Sequence, residues 1–317
     1  MNKMRITKRI ATVILLVVVT LLGIYCYEEY GKVESPSQTE QSVQHMENTT
    51  PVEEKIDFTV LTEDINRIIG SERDNYSIFV SRPSSKGEPL IINDRSRRSA
   101  SMIKVFIMAY AMEQAKNGKL DLATTLTLKD SDKVAGAGII FGWASGTQLT
   151  IEKLITLMIT ESDNTATNML IDYLGMDNIN AYIAGKGYHG TVLRRKMMAL
   201  EAVAAGRENY SSVSDLGGFF SKLVNHCCVN EVYDQKMIDI LLQQTDTEVF
   251  PAVLPEAGIA HKTGELDNLY DDGGIIFAGK EPYVVVVMDD GVARGTAVSK
   301  MKQIVKAADK FFATSAK

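Results

Sequence analysis

Cysteine is scarce: Cys26, Cys227 and Cys228 are the only three in 317 residues, and two of them are neighbours. An odd count with an adjacent pair offers no disulfide framework, so the fold must rest on its core. Free cysteine packs as a small hydrophobe, and Cys227 and Cys228 are expected as buried thiols on a helix. Basic charge is not in excess either. The 34 Lys and Arg stand against 40 Asp and Glu, a formal net charge of −6, which argues against nucleic acid as a partner. His45, His189, His226 and His261 are scattered along the chain, and no His/Cys/Asp cluster has the spacing of a zinc site. No metal or cofactor is implied, and the three later histidines are expected in surface or packing roles. The chain has no internal repeat. With 45% apolar and 23% charged residues, the bulk of it is an ordinary globular protein.

One long apolar run is present. Lys3, Arg5, Lys8 and Arg9 precede an uncharged stretch from Ile10 to Tyr27, and Glu28 and Glu29 follow it. Eighteen residues rising 1.5 Å each span about 27 Å, close to the thickness of a bilayer core. The basic flank keeps residues 1–9 in the cytoplasm and sends everything after the span outside. No small-x-small cleavage site closes the run, which favours a retained signal anchor over a removed signal peptide. Residues 28–55 are polar and poor in large apolar side chains, so they read as a flexible linker. Residues 56–317 then form one globular body, expected to be monomeric.

Within that body, Asp57 to Gly70 reads as a helix, with Phe58, Leu61, Ile65, Ile68 and Ile69 near helical spacing. Tyr76 to Ser81 and Leu90 to Ile92 are short β-rich runs around a turn-forming stretch, hence a hairpin. Between Met102 and Leu200 the pattern is helical, with apolar runs at 102–113, 151–159, 167–174 and 179–184. Strand character returns at Ile259 to Leu266, Gly274 to Ala278 and Tyr283 to Met288, before an amphipathic helix from Ala297 to Phe312. Strands joined as hairpins, rather than alternating with helices, predict an α/β fold: an antiparallel sheet flanked by helices, plus an all-helical subdomain.

Three short motifs carry chemistry. Ser101-Met102-Ile103-Lys104 opens a strongly apolar segment; alone, such a serine is usually a helix cap. Residues three apart share a helix face, so the Lys104 amine can sit beside the Ser101 hydroxyl as its base. That requires desolvation to lower the lysine's pKa, which Met102, Ile103, Val105 and Phe106 are suited to provide. Ser162-Asp163-Asn164 lies in a polar break between two helical segments, and Lys262-Thr263-Gly264 lies inside a predicted strand. Each of these alone is an ordinary turn or strand surface. Together, SxxK, SDN and KTG in this order resemble the signature of class A β-lactamases and penicillin-binding proteins. The resemblance runs from about Asp57 to the carboxy terminus and is closest around TIEKLITLMITESDNTATNMLIDYLG.

The resemblance implies a sandwich fold with the active site between the α/β and helical parts. It makes Ser101 the acylated nucleophile, Lys104 the base for acylation, and Ser162 the relay of a proton to the leaving nitrogen. Asn164 would contact the substrate amide; Lys262, Thr263 and Gly264 would hold the substrate carboxylate. The backbone N–H groups of Ser101 and Glu265 would form the oxyanion hole. The substrate is then a β-lactam or a peptidoglycan peptide.

What the family pattern has and this chain lacks is the ExxLN loop, whose glutamate activates the deacylating water. Aligning Leu193-Arg194-Arg195 puts Met197 in the glutamate's place and Glu201 in that of the asparagine. A thioether cannot take a proton from water, so Glu201 is the substitute base to look for. Glu265, Asp267, Asp271 and Asp272 also follow Lys262 with no Arg before Gly279, which predicts an acidic mouth unfriendly to anionic penicillins.

Overall fold

A computed structural model describes residues 55–314. The expected anchor at residues 10–27 lies outside them, as does the linker before Lys55. Among the described residues, no helix is long and apolar enough to cross a membrane.

Helix α1 (Thr59–Ile69) buries Leu61, Ile65 and Ile69, one face at a spacing of four. Gly70, at φ 58°, ends it in a conformation that costs glycine little. Strands β1 (Tyr76–Ser81) and β2 (Leu90–Ile92) pair antiparallel with Phe79 opposite Ile91. The two-residue β3 (Arg97–Arg98) then leads through a single 3-10 turn, Ala100–Ile103, into α2 (Lys104–Lys116). A small pair, β4 (Thr125–Thr127) with β5 (Gln148–Thr150), precedes three helices: α3 (Ile151–Thr160), α4 (Asn164–Leu174) and α5 (Met176–Gly185). Thr150 caps α3 by accepting from Lys153 N at 3.1 Å. After the short α6 (Leu200–Ala204), β6 (Tyr210–Ser211) pairs back with β3. Helices α7 (Val213–Val224), α8 (Glu231–Leu241) and α9 (Phe250–Val253) follow, then β7 (Gly258–Leu266), β8 (Leu269–Phe277), β9 (Tyr283–Asp289) and the closing α10 (Arg294–Thr314).

The main sheet has the order β2-β1-β9-β8-β7, antiparallel throughout, as the hairpin-like spacing predicts. Both of its faces are covered, which is why β9 reads YVVVVM rather than alternating with polar residues. Phe79, Ile275, Val284 and Val286 join the helical core on one side; Ile78, Val80, Val285 and Val287 join α1 and α10 on the other.

Two sequence expectations are corrected. Strand β8 begins at Leu269, not Gly274, because Asp271 and Asp272 are ladder residues with buried partners: Asp271 accepts from Asp289 N at 3.0 Å, and Asp272 lies 2.8 Å from His261 Nδ1. Glycine is required at 274, since a Cβ there would lie 2.2 Å from the Ala260 carbonyl oxygen. Cys227 and Cys228 are not on a helix but in the turn after α7, with Cys228 buried and Cys227 exposed. Burial pushes the Cys228 thiol up to about 12, so it is inert at neutral pH.

Helix α7 lies close against β1 because Gly217 faces the Phe79 ring, where an added Cβ would come within 2.3 Å. Gly217→Ala should therefore lose about 1–3 kcal/mol to overpacking, more than the ~1 kcal/mol that alanine gains in a helix. Gly218 faces open space, and Gly218→Ala should stabilise by about 0.5–1 kcal/mol. Urea midpoints at unchanged m value check the pair; two shifts of the same sign would contradict the close-approach argument.

Candidate active site

Three segments converge beneath one cavity. The 3-10 turn carrying Ser101 is bent by Ala100, a non-glycine residue at φ 41°. Strand β7 runs so near this turn that a Cβ on Gly264 would sit 3.1 Å from Ala100 Cβ and from the Ser99 carbonyl oxygen. This close approach explains the glycine in Lys262-Thr263-Gly264. The Ser162 turn is likewise in the left-handed region, at φ 51°.

Asp163 organises that turn. Its Oδ1 caps α4 by accepting from Ala166 N at 2.8 Å, and its Oδ2 accepts from Ile139 N at 2.6 Å and Ile140 N at 2.8 Å. A loop across the cavity, residues 135–140, is thereby pinned to the catalytic turn. Gly138 at φ 110° has no room for a side chain, with Asp163 Oδ2 2.3 Å from where a Cβ would be.

Lys104 is fully buried on α2. Its Nζ donates to the Ser162 carbonyl oxygen at 2.6 Å, to Asn164 Oδ1 at 3.0 Å and to Ser162 Oγ at 3.1 Å. Lys262, equally buried on β7, donates from Nζ to Ser162 Oγ at 3.1 Å and to its neighbour's carbonyl, Thr263 O, at 2.7 Å. Ser162 Oγ thus bridges two lysine nitrogens. Desolvation lowers Lys104 well below the ordinary lysine value, and the Lys262 charge lowers it further. Burial lowers Lys262 to about 8. Two ammonium groups on one hydroxyl would repel, and the deeper lowering of Lys104 makes it the one of the two that gives up its proton first.

Ser101, Asn164 and Glu265 line a cavity of about 500 Å³, with Met197 on its wall. The structure brings Lys104 to Ser162 and Asn164, and among the described residues no hydrogen bond is made to the Ser101 hydroxyl. Thr263 is nearly buried beside Lys262. Glu201 stands apart: it is exposed on α6 and does not line the cavity.

The loop bearing Met197 is held from beneath. Asn168 donates from Nδ2 to Met197 O at 3.1 Å and accepts Met197 N at 2.8 Å, locking that backbone to α4. Arg195 closes the loop on Glu208, with Nε–Oε1 at 2.7 Å and Nη2–Oε1 at 2.6 Å in a nearly buried pair. Asn209 Oδ1 accepts from Arg194 N and Arg195 N. Sequence reasoning missed Asn168, Glu208 and Asn209; the available signal was Asn168, one helical turn beyond Asn164 on the same face.

The acidic mouth is also corrected. Asp271 and Asp272 are fully buried, Asp272 against His261, which stacks on Phe250. Glu265 is paired with Arg294 of α10 at 2.8 Å, and Arg294 also binds Glu248. Of the four, Asp267 faces the cavity with no ion pair among the described residues. His189 and His226 are exposed, far in sequence from these motifs. Among the described residues, no group of three or more His, Cys, Asp or Glu is placed to hold a metal ion.

Comparison with known proteins agrees with this fold. A search of curated proteins gives no significant sequence match. Among solved structures, a β-lactamase from Sphaerobacter thermophilus superposes with a TM-score of 0.74 at 26% identity, over 80% of this chain and 96% of that one. PBP-A superposes with a TM-score of 0.74 at 24% identity, over 82% and 98%. A leucine-to-glutamate mutant of PBP-A, solved as an acyl-enzyme complex with penicillin G, gives the same TM-score of 0.74, over 83% and 99%. The family model described as "Beta-lactamase enzyme family" matches residues 60–312. The chain therefore belongs to that family, as a β-lactamase-like serine hydrolase of the penicillin-recognising type.

Proposed function

We propose that the enzyme opens β-lactam rings by acylating Ser101 and that hydrolysis of the resulting ester is its slow step. The observation that carries this is the pair of lysines sharing Ser162 Oγ under the cavity that Ser101 lines, with Met197 on the wall at the place where the family pattern has its glutamate. Neutral Lys104 takes the Ser101 proton as Oγ attacks the lactam carbonyl. The developing oxyanion lies between the N–H groups of Ser101 and Glu265. As the C–N bond breaks, Ser162 Oγ gives its proton to the leaving nitrogen and is reprotonated from Lys104. Cationic Lys262, with Thr263 and Gly264, holds the substrate carboxylate, and Asn164 meets the amide. The oxyanion and anchor roles rest on the family resemblance and on the convergence of these residues.

A second reading is favoured by Met197 alone: a D,D-peptidase, transpeptidase or esterase of the cell wall that β-lactams acylate but that releases them slowly. In either case, the uncharged run at residues 10–27 supports a catalytic body held outside the cell by a single amino-terminal span, acting as a monomer.

Full-length chain in detergent, mixed with excess nitrocefin or a fluorescent penicillin, tests the acylation that both readings share by absorbance and intact mass, with Ser101→Ala as control. A stoichiometric burst and a persistent adduct on Ser101 are expected. Rapid sustained turnover would show that deacylation is not slow, and absence of any adduct would end both readings.

A further inference from the structure

The wall of the cavity beyond Asn164 has an unusual composition. Met198, Leu200 and Val203 all line it, yet they are 44%, 69% and 42% exposed. Three large apolar side chains left in water beside a nucleophile form the kind of patch that marks a ligand groove. They are also built in rather than merely loose. Met198 is a non-glycine residue held at φ 59°, its carbonyl accepts from Leu200 N at 2.9 Å, and the preceding residue is fixed by Asn168.

Their position relative to the catalytic residues is set by Gly136. A Cβ built there would lie 2.8 Å from Asn164 Nδ2 and 3.2 Å from Met198 Sδ, so the amide of Asn164 and the thioether of Met198 flank the same glycine. A substrate with its carbonyl at Ser101 and its carboxylate toward Lys262 must extend its acyl side chain the other way, past Asn164 and along this wall. The charges on the cavity are matched away from this wall: Arg98 pairs with Asp290, Arg195 with Glu208 and Glu265 with Arg294. Each cation lining the cavity, Arg98 and Arg195, already has its carboxylate, so none is left unmatched to receive an anionic side chain.

We infer that Met198, Leu200 and Val203 form the subsite for the acyl-donor side chain, and that the preferred substrates carry an uncharged aryl or alkyl group there. This rests on the proposed acylation of Ser101 and adds the chemical class of the acyl group. An anionic group at this position would lose hydration without gaining a partner.

The test uses three penams that differ only in this side chain: benzylpenicillin, carbenicillin (the same phenylacetyl group with an added carboxylate) and 6-aminopenicillanic acid, which has no acyl group. Second-order rates of Ser101 acylation are read by intact mass on the full-length chain. Benzylpenicillin should react about tenfold or more faster than carbenicillin. Leu200→Ser and Val203→Ser should each lower the benzylpenicillin to 6-aminopenicillanic acid rate ratio about three- to tenfold, the effect of losing one apolar contact. Val232→Ser, an exposed change on α8, should leave the ratio as it was. Equal rates for benzylpenicillin and carbenicillin, or ratios unmoved by the Leu200 and Val203 changes, would overturn the inference while leaving Ser101 acylation standing. If none of the three compounds forms an adduct, the proposed function fails first.

Discussion

Met197→Glu should shorten the lifetime of the penicilloyl adduct on Ser101 by about 10²- to 10⁴-fold, the usual contribution of a positioned general base. Met197 is only 6% exposed but lines the cavity that holds the nucleophile. Its backbone is fixed at both N and O by the Asn168 side chain, and the loop around it is closed by the Arg195–Glu208 pair. Neither constraint involves the methionine side chain, so a glutamate can take its place on an unchanged backbone and direct a carboxylate at the ester. Glu201→Gln should leave the adduct lifetime unchanged, because Glu201 is exposed on α6 and off the cavity. The measurement is the decay of the adduct by mass after excess penicillin is removed. A lifetime unaltered by Met197→Glu would mean that absence of this carboxylate is not what slows release, and a lengthened lifetime in Glu201→Gln would return that residue to the site.

What could be read from the sequence follows from how local each signal is. The helix over Thr59–Ile69 and the hairpin of β1 and β2 declare themselves by spacing and turn residues, and the five-strand sheet follows from strands that arrive as hairpins. The three motifs located Ser101, Lys104, Ser162 and Lys262 because each is a short run. What they could not give is which atoms meet. SxxK spacing put Lys104 on the helix face of Ser101, but it could not show that Nζ would hydrogen-bond the carbonyl and hydroxyl of Ser162 and Asn164 Oδ1. Asp271-Asp272-Gly273-Gly274 has the composition of a turn, and only tertiary partners, His261 and the Asp289 N–H, make it a strand. Distance in sequence also hid Arg294, 29 residues after Glu265, so the mouth read as more acidic than it is.

Lys104→Arg should cut the acylation rate by about 10²- to 10⁴-fold while leaving the sheet and the Asp163 pins in place. A guanidinium keeps its proton at every accessible pH, so it cannot accept one from Ser101. The wild-type pH profile of acylation should show why the amine works. Lys104 must be neutral, and desolvation together with the Lys262 charge lowers its pKa, so the rate falls on the acid side as Lys104 takes up a proton. Lys262 must be charged to hold the substrate carboxylate, and its pKa of about 8 makes the rate fall as pH rises through that value. The second-order rate constant reports the free enzyme, so both limbs belong to the unliganded site. Lys262→Arg, which cannot lose its charge, should abolish or strongly displace the alkaline limb and leave the acid limb. An alkaline limb that persists near 8 in that variant would assign it to another group. A flat acid side in the wild type would remove Lys104 as the base.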